Sequence, residues 1–382
     1  MNEGAVQLKE AKTMPDGWRW VKLGEVCQFE YGTGLPEHDR RKGNVPVYGS
    51  NGIVGCHAVS ITEGPAIIIG RKGSIGQAHY SDVACWPIDT TYYIDASKTS
   101  CDLPWLFFLL KWVRLDAFNR ATGVPGLNRN DAYSQVIPLP PLPEQQRISA
   151  KIQELMAEVE HARTACEAQL EAAKALPQAY LRQVFESDEA REWERRRLGE
   201  VCEIVTGNTP SKNNPENYGD YLPWVKPEDL DKEMYVEDTT EHLSVLGAKQ
   251  ARVLPRGAIM VSCIGNLGKI AIAGCDLATN QQINSLIPKP EVDSEYLYFC
   301  RAMFQSELEK LAASTTLKIV NKSAFASITI PLPPMPEQKQ IAAKLKDKID
   351  SAEKLKLALE KQLETINALP QAILRKAFSG EL

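Results

Sequence analysis

Two long stretches of the chain carry apolar residues three and four positions apart, the spacing of a helix with one buried face. The apolar positions of the first stretch are Ile148, Ile152, Leu155, Val159, Ala162, Cys166, Leu170, Ala173 and Leu176. Those of the second are Ile341, Leu345, Ala352, Leu355, Leu359, Leu363, Ile366 and Leu369, with Lys348 interrupting the row. Such a stripe, with charges between, predicts two long helices that pair as a coiled coil. The alternative is two unrelated surface helices, each packed on its own domain.

Both helical stretches have the same beginning and the same ending. Ile137-Pro-Leu-Pro-Pro-Leu-Pro-Glu-Gln-Gln-Arg-Ile148 leads into the first, and Ile330-Pro-Leu-Pro-Pro-Met-Pro-Glu-Gln-Lys-Gln-Ile341 leads into the second. Each closes on Ala-Leu-Pro-Gln-Ala, at Pro177 and Pro370. Proline inside a helix removes a backbone hydrogen bond, so we expect each helix to bend or restart there. Up to these prolines each helix has about 34 residues and is about 50 Å long, and the matched length and phase favour mutual pairing.

The segments before the helices are also related to each other. Leu23-Gly-Glu-Val-Cys27 recurs as Leu198-Gly-Glu-Val-Cys202. Short apolar runs bounded by glycines and polar turns predict strands, at 66–69, 92–94, 258–261 and 270–273. Helical spacing predicts one helix in each segment, over 104–118 and 294–312. We therefore predict a duplicated α+β fold with twisted, mainly antiparallel sheets, divided into a tail (1–17), a first globular domain (18–142), a first long helix (143–194), a second globular domain (195–335) and a second long helix (336–382).

Composition and charge restrict the class of protein. The net charge of −5 over 382 residues is not that of a protein that coats DNA through its overall field. No apolar run approaches the roughly 18 residues of a membrane span, and the polar N-terminus does not resemble a signal peptide. The nine cysteines are scattered and form no Cys-x-x-Cys pair. We therefore expect a cytoplasmic protein with reduced thiols and no zinc site.

Motifs for catalysis are missing. Gly70-Arg-Lys-Gly-Ser-Ile-Gly76 is rich in glycine but lacks the Gly-Lys-Ser/Thr ending of a phosphate-binding P-loop. It is either a loop that grips phosphate on DNA or an ordinary hairpin turn. The histidines are scattered singly, without the spacing of a zinc site or a catalytic triad: His38, His57, His79, His161 and His242. The sequence therefore predicts a binding protein.

Polar loop residues cluster in both globular domains and are the candidate DNA-binding residues. Arg and Lys can pair with guanine edges, Asn and Gln match adenine, and Lys, Ser, Thr and Asn bind phosphates. In the first domain they are Tyr31, Thr33, Arg40, Arg41, Lys42, Tyr48, Ser50, Asn51, Arg71, Lys72, Ser74, Asn128 and Arg129. In the second they are Asn208, Thr209, Lys212, Lys226, Asn266, Lys269, Asn280, Gln281, Gln282, Lys318, Asn321 and Lys322. Any one of them alone is more simply a solvated loop residue, and the prediction rests on their clustering.

From Trp18 to Leu382 the pattern resembles the specificity (S) subunits of type I restriction-modification systems. The most specific features are the two proline-rich runs ending in Pro-Glu-Gln, each with its long helix. Weaker support comes from Tyr48-Gly-Ser-Asn-Gly52, the Arg71–Gly76 loop, Leu222-Pro-Trp-Val225 and Ala377-Phe-Ser-Gly-Glu-Leu382. The resemblance implies two target-recognition domains held apart by an antiparallel pair of helices. Both domains are short for that family.

The resemblance also implies a function without catalysis. Each recognition domain would read one half of a split site in double-stranded DNA, and the helices would set the spacer and dock two methyltransferase (M) subunits. Those subunits would bind S-adenosylmethionine and methylate adenine, and restriction (R) subunits would add an ATP- and Mg-dependent motor nuclease. A rod of about 50 Å spans roughly 15 base pairs of DNA at 3.4 Å each. This chain itself would carry no cofactor and no metal.

Two other classes of function stay open at this stage. One is a structural scaffold whose coiled coil only joins proteins; the other is an enzyme with an unrecognised active site. Exchange of domains between two copies of the chain is also compatible with the sequence. The sequence further predicts that a polar replacement of Leu355 loosens the helix pair, and that replacement of Arg71 or Lys72 weakens DNA binding.

Overall fold

The chain folds into two compact units. The structure is a computed structural model that describes residues 14–118, 126–312 and 318–382, so most of the predicted tail lies outside the described residues. Unit 1 combines Met1–Glu167 with Lys361–Leu382, and unit 2 is Ala168–Glu360. Each unit therefore joins one globular domain to part of each long helix.

The strands of unit 1 form three small sheets. They are β1 Arg19–Lys22, β2 Glu30–Tyr31, β3 Val45–Gly49, β4 Gly52–His57, β5 Ala66–Gly70, β6 Ala78–Ser81, β7 Trp86–Pro87, β8 Thr91–Asp95 and β9 Val136–Leu139. Their orders are β2-β8-β5-β6, β4-β3-β7 and β1-β9. All pairs are antiparallel except β3 with β7. The buried face of the first sheet packs with helix α1 (Leu103–Val113) in one core.

Unit 2 repeats this plan with longer sheets. Its strands are β10 Arg195–Arg197, β11 Cys202–Thr206, β12 Tyr218–Gly219, β13 Leu222–Val225, β14 Tyr235–Val236, β15 His242–Leu243, β16 Val253–Leu254, β17 Ile259–Ser262, β18 Ile270–Ala273, β19 Leu277–Thr279, β20 Ile283–Pro288 and β21 Thr329–Pro331. The sheet orders are β11-β20-β17-β18-β14, β12-β15-β13-β19-β16 and β10-β21. The parallel pairs are β13 with β19 and β14 with β18. The predicted α+β class with mainly antiparallel sheets is confirmed.

The helices differ from the prediction mainly at their ends. After α1 come α2 Arg129–Tyr133, α3 Asp188–Glu192, α4 Leu198–Val201, α5 Val245–Gln250, α6 Ser294–Phe299, α7 Arg301–Ala312 and α8 Lys322–Ala326. The helix predicted over 104–118 ends at Val113 because Arg114 is left-handed, with φ 55°. The helix predicted over 294–312 divides at Cys300.

Each long helix has 44 residues, about 66 Å, and runs through its proline. The first long helix is Leu142–Phe185 and contains Pro177; the second is Met335–Phe378 and contains Pro370. Neither helix restarts there, so of the two predicted outcomes the restart is excluded, and a bend at the proline stays a prediction. Proline removes one hydrogen bond and leaves the neighbouring turns of the helix able to continue.

In unit 1 the repeated motif ties its long helix to the globular domain. The motif's extended run is β9, which pairs with β1 (Leu139 opposite Arg19). Gln145, only 4% exposed, accepts a hydrogen bond from the backbone N of Asp102 at 2.9 Å and donates to Pro140 O at 2.9 Å. Asp102 in turn caps α1, because its Oδ2 accepts from Trp105 N. One glutamine therefore joins the proline run, the long helix and α1.

Unit 2 uses the same device. Gln338 is 1% exposed and accepts from the backbone N of Asp293 at 2.9 Å. Its Nε2 donates to Pro333 O at 2.8 Å and to Glu291 O at 3.0 Å. Asp293 caps α6 through Tyr296 N. The function of the Pro-Glu-Gln motif is thus structural at its glutamine, in both copies.

The start of one long helix lies beside the end of the other within each unit. In unit 1, Ile148 and Ile152 share a core with Leu374, Ala377 and Phe378. In unit 2, the paired groups share a second core and are Leu181 and Phe185 with Ala342 and Leu345. The helices are therefore antiparallel partners, and the reading as two unrelated surface helices is excluded.

Two leucines assigned to the helix seam do not lie in it. Leu355 is 46% exposed and Leu369 is 39% exposed. The buried row passes instead through Ala352, Leu359 and Ile366, 3%, 6% and 7% exposed. Leu355 and Leu369 each lie three residues after a member of this row, and this position is exposed because three residues fall short of a full turn of 3.6.

The other predicted pairing positions are buried or half-buried. Leu170 is buried, and half-buried positions are Leu155, Val159, Leu176, Ile341 and Leu363. Lys348 does not interrupt the seam, because Ile349 packs against the core there. Lys348 is exposed, donates to Gln183 Oε1 at 3.4 Å and lies 4.9 Å from the ring of Tyr180.

This burial pattern reverses the expected effect of a polar substitution at Leu355. Leu359→Gln should cost about 2–3 kcal/mol of unfolding free energy, because it buries an amide in an apolar seam. Leu355→Gln should change it by less than about 0.5 kcal/mol. Urea denaturation of both variants measures the difference, and equal losses would return Leu355 to the seam.

Candidate nucleic-acid interface

A glycine turn between β5 and β6 presents two cations in unit 1. Gly73 and Gly76 have φ of +78° and +72°, the left-handed region that favours glycine. The turn closes through a hydrogen bond from Gly76 N to Gly70 O at 2.8 Å. Arg71 is half-buried and Lys72 is exposed. The loop is thus a hairpin turn by structure, and its contact with phosphate stays a prediction.

The turn between β3 and β4 lies against this glycine turn. Ser50 Oγ accepts from Ser74 N at 3.4 Å, and Ser74 Oγ donates to Asn51 Oδ1 at 3.5 Å. These three predicted residues therefore lie together. Tyr48 does not join them, since it is 7% exposed and packs in a small core with Ile68. Its predicted place on the binding surface is wrong, because the strand turns its side chain inward.

Tyr31 stands between two arginines. The Cζ atoms of Arg71 and Arg129 lie 5.3 Å and 5.2 Å from the centroid of its ring. Tyr31 is 51% exposed, so this cation–π cluster is at the surface. It borders a cavity of about 560 Å³ lined by Tyr31, Arg71, Lys72, Tyr92, Gly126, Leu127, Asn128, Arg129 and Asn130. The site is open and carries positive charge, so it can take an anionic group.

Both guanidinium groups are held by backbone carbonyls. Arg71 donates through Nε and Nη2 to Asp89 O, at 3.2 Å and 2.6 Å. Arg129 donates through Nη1 to Phe29 O at 3.2 Å. Burial raises the pKa of Tyr92 to about 12, so its phenol stays neutral beside the two cations. The cluster is therefore preorganised and positive.

Of the three predicted basic residues at 40–42, Arg40 is hydrogen-bonded to backbone carbonyls of its own domain. Arg40 donates through Nε to Leu35 O at 3.4 Å and through Nη1 to Val54 O at 2.8 Å. Arg41 and Lys42 are exposed. They remain available at the surface, whereas the guanidinium of Arg40 already has protein partners.

Thr33 and Asn128 take part in local backbone structure. The carbonyl of Thr33 accepts from Trp86 Nε1 at 2.9 Å. Asn128 Oδ1 accepts from Asn130 N at 2.8 Å and caps α2. Both residues are exposed, so surface placement and a structural contact coexist at each.

A second glycine turn, between β17 and β18, occupies the corresponding place in unit 2. Gly265 and Gly268 have φ of +78° and +82°. Gly268 N donates to Ser262 O at 2.9 Å. The predicted residues Asn266 and Lys269 lie in this turn, exposed and half-buried respectively.

The loops after β11 and β19 meet through polar side chains. Thr209 Oγ1 donates to Gln281 Oε1. Asn280 donates to Gln282 Oε1 at 3.0 Å and accepts from the N of Gln282 at 3.0 Å. Asn280 is only 6% exposed, so its assignment to the surface is wrong. Its side chain shapes the loop that presents Gln281.

Asn208 and Lys226 are occupied by protein partners. Asn208 Nδ2 donates to Gln250 O at 2.9 Å, and its Oδ1 accepts from Arg252 N at 3.0 Å. Lys226 forms an ion pair with Glu241, which neutralises its charge. These two residues hold loops in place.

The remaining predicted residues of unit 2 lie at the surface. Lys212, Lys318, Asn321 and Lys322 are all exposed. Asn321 Oδ1 accepts from Ala324 N at 2.9 Å and caps α8. The cap repeats that of Asn128 in unit 1.

Sequence reasoning missed the residues that hold the site together. The Cζ atom of Arg129 lies 5.9 Å from the centroid of the Tyr133 ring, and the hydroxyl of Tyr133 accepts a hydrogen bond from Phe29 N at 2.6 Å. The occurrence of Gln145 and Gln338 in both motif copies was the available signal for their role. No pattern around Tyr133 distinguished it from an ordinary aromatic residue.

The described ranges hold no group of three or more His, Cys, Asp or Glu side chains that could bind a metal ion. Within the same ranges, no helix combines the length and apolar character needed to cross a membrane.

Comparison with known proteins identifies the family. The profile described as "Type I restriction modification DNA specificity domain" matches residues 15–171 and 190–365. The chain therefore belongs to the type I restriction-modification DNA specificity family and carries its domain twice, and the predicted resemblance is confirmed.

Individual relatives agree with this membership. The chain is 32% identical over 197 residues to the specificity subunit of the type I restriction enzyme HindI of Haemophilus influenzae, an alignment covering 50% of this chain and 42% of that relative. It thus spans less than half the length of the curated relatives that it matches first.

Solved structures match over nearly the full chain. A chain from a study of complex assembly and conformational transition of the type I R-M system has a TM-score of 0.71 at 26% identity, covering 97% of this chain and 100% of that one. The HsdS subunit from Thermoanaerobacter tengcongensis has a TM-score of 0.66 at 25% identity, covering 98% and 100%.

Proposed function

We propose that this chain is the DNA-recognition subunit of a type I restriction-modification complex and that each globular domain reads one half of a split duplex site. The observation that carries the proposal is the duplicated glycine turn. Its backbone conformation recurs in the two units, while the polar residues around it differ. A shared frame with different side chains suits a protein that reads two different half-sites.

Direct reading needs donors and acceptors that are exposed and held in place. In unit 1, Asn51 meets both requirements, because it is exposed and its Oδ1 accepts from the half-buried Ser74, and Lys72 is exposed beside them. In unit 2, Gln281 meets both requirements through its bond with Thr209, and Asn266 is exposed in the glycine turn. We assign base contacts to these exposed groups, and we assign scaffold roles to Arg40, Asn208 and Lys226.

The paired long helices would act as the spacer and as the docking surface for two methyltransferase subunits. Their length of about 66 Å corresponds to roughly 19 base pairs of DNA. Surface ion pairs such as Glu160–Arg163 and Glu353–Lys356 follow their solvent faces. These faces are available for partner helices, because the seam itself is filled by apolar side chains.

Catalysis would belong to the partner subunits. S-adenosylmethionine would bind the methyltransferase subunits, and ATP and Mg the restriction subunits, in the cytoplasm. The family membership supports a non-catalytic role for this chain. Methyl transfer from S-adenosylmethionine by the purified chain alone would contradict it.

The proposal is tested by methylome sequencing of a host that expresses this chain with its neighbouring methyltransferase subunit. We expect a split adenine motif that appears only when both proteins are present. Expression of either protein alone is the control. No new motif, with the assembled complex shown by size-exclusion chromatography, would favour a scaffold that only joins proteins.

A further inference from the structure

The two glycine turns are equivalent in their contacts as well as their shape. Arg71 O accepts from Leu127 N at 2.9 Å in unit 1, and Cys263 O accepts from Val320 N at 2.9 Å in unit 2. Each turn is thereby joined to the segment that leads into the short helix α2 or α8. This contact aligns Arg71 with Cys263 and so fixes which residues of the two domains correspond.

Most polar positions around this shared frame differ between the domains. Tyr31 lies opposite Tyr92 in β2–β8, and Thr206 lies opposite Asn284 in β11–β20. The differing pairs are Tyr31 and Thr206, Arg71 and Cys263, Lys72 and Ile264, Ser74 and Asn266, and Gln77 and Lys269. Side chains that differ in this way can distinguish two sequences.

One cation is retained. Arg129 follows the capping residue Asn128 at the start of α2, and Lys322 follows the capping residue Asn321 at the start of α8. Each short helix packs against the helical turn near the start of its own domain. Tyr133 lies against Gly24 in the first domain, and Ala326 lies against Gly199 in the second. The position keeps its place and its positive charge while its surroundings change.

Two half-sites of different sequence have the sugar–phosphate backbone in common. Contacts to phosphate position a protein without reading bases. We propose, resting on the function proposed above, that Arg129 and Lys322 are equivalent phosphate anchors, one in each recognition domain. The differing positions around them then carry the sequence preference.

The surroundings of each cation fit this role. Arg129 lines the cavity beside Tyr31 together with Arg71 and Lys72, so three cations converge on one opening. Its bond to Phe29 O uses Nη1, which leaves Nε and Nη2 as further donors on a residue that lines the cavity. Lys322 is exposed and, in the part of the chain that the structure describes, forms no ion pair.

Salt dependence of DNA binding tests the anchors directly. The probe is a fluorescent duplex of random sequence, titrated with the full chain between about 50 and 200 mM salt. R129A and K322A should each reduce the slope of log K against log salt by about 0.9, and the double variant by about 1.8. Lys310, an exposed lysine paired with Glu307 on α7, supplies the matched control, and K310A should leave the slope unchanged.

The conservative exchange separates anchoring from base reading. R129K and K322R give each domain the cation of the other, and both should keep the wild-type slope and the wild-type methylated motif. At a bidentate contact with guanine the exchange of arginine for lysine is not conservative, because the lysine ammonium lacks the planar fork of donors. A change of motif in R129K would therefore overturn the anchor role of Arg129.

The outcomes also distinguish this proposal from the one on which it rests. An unchanged slope in K322A, with a split motif still written by the wild-type complex, would overturn the anchor proposal alone. A wild-type chain that binds no duplex and directs no motif would overturn both proposals.

Discussion

Replacing Phe378 with alanine should lower the unfolding free energy of unit 1 by about 4 kcal/mol. Phe378 is 1% exposed. Its ring centroid lies 5.9 Å from that of Trp105 at an interplanar angle of 67°, and 5.3 Å from that of Trp112 at 33°. Truncation would leave a cavity between the second long helix and α1 and would remove both aromatic contacts, which are worth about 0.5–1.5 kcal/mol each beyond their area.

Urea denaturation followed by tryptophan fluorescence measures this effect, since two tryptophans flank the lost ring. Leu369→Ala is the matched control on the same helix, because Leu369 is 39% exposed and its truncation should cost less than about 1 kcal/mol. Similar losses in the two variants would show that the end of the helix does not close the core of unit 1.

Replacing Gln338 with leucine should cost about 3–5 kcal/mol, although the side chains are of similar size. The substitution leaves the N–H of Asp293 and the carbonyls of Pro333 and Glu291 without the amide that now satisfies them. An unsatisfied buried polar group costs about 1–3 kcal/mol. The substitution therefore removes the side chain that joins the proline run, the second long helix and the start of α6.

Gln340→Leu is the control for this substitution, since Gln340 is exposed two residues further along the helix. Hydrogen exchange at the Asp293 amide gives a local measurement beside the global denaturation midpoint, and we expect faster exchange in the Gln338 variant only. Unchanged protection of that amide would mean that water replaces the glutamine without loss.

Features that follow from local patterning were predictable from the sequence. The two long helices and the strands at 66–69 and 270–273 are where the apolar spacing predicts them. The seam was harder to place, because Leu355 and Ala352 both fit a spacing of three and four. Only burial against the partner helix distinguishes Ala352, at 3% exposed, from Leu355, at 46%.

The candidate site was predictable only as a set of loops. Tyr48 and Asn51 are three residues apart in one polar turn, yet one is buried and the other exposed. Which side of the strand faces the core is decided by partners far along the chain, such as Ile68. The bonds from Arg71 to Asp89 O and from Arg129 to Phe29 O likewise join residues that no local pattern connects.

The discontinuous composition of unit 1 has a consequence for synthesis of the protein. Its globular domain is complete in the chain by Glu167, but the residues that finish its core, Leu374, Ala377 and Phe378, belong to the segment that begins at Lys361. At about 5–20 residues per second, a ribosome needs roughly 10–40 s to cover that interval. During this time the faces of Trp105 and Trp112 that Phe378 covers stay open. The first domain to emerge is thus the last to have its core completed.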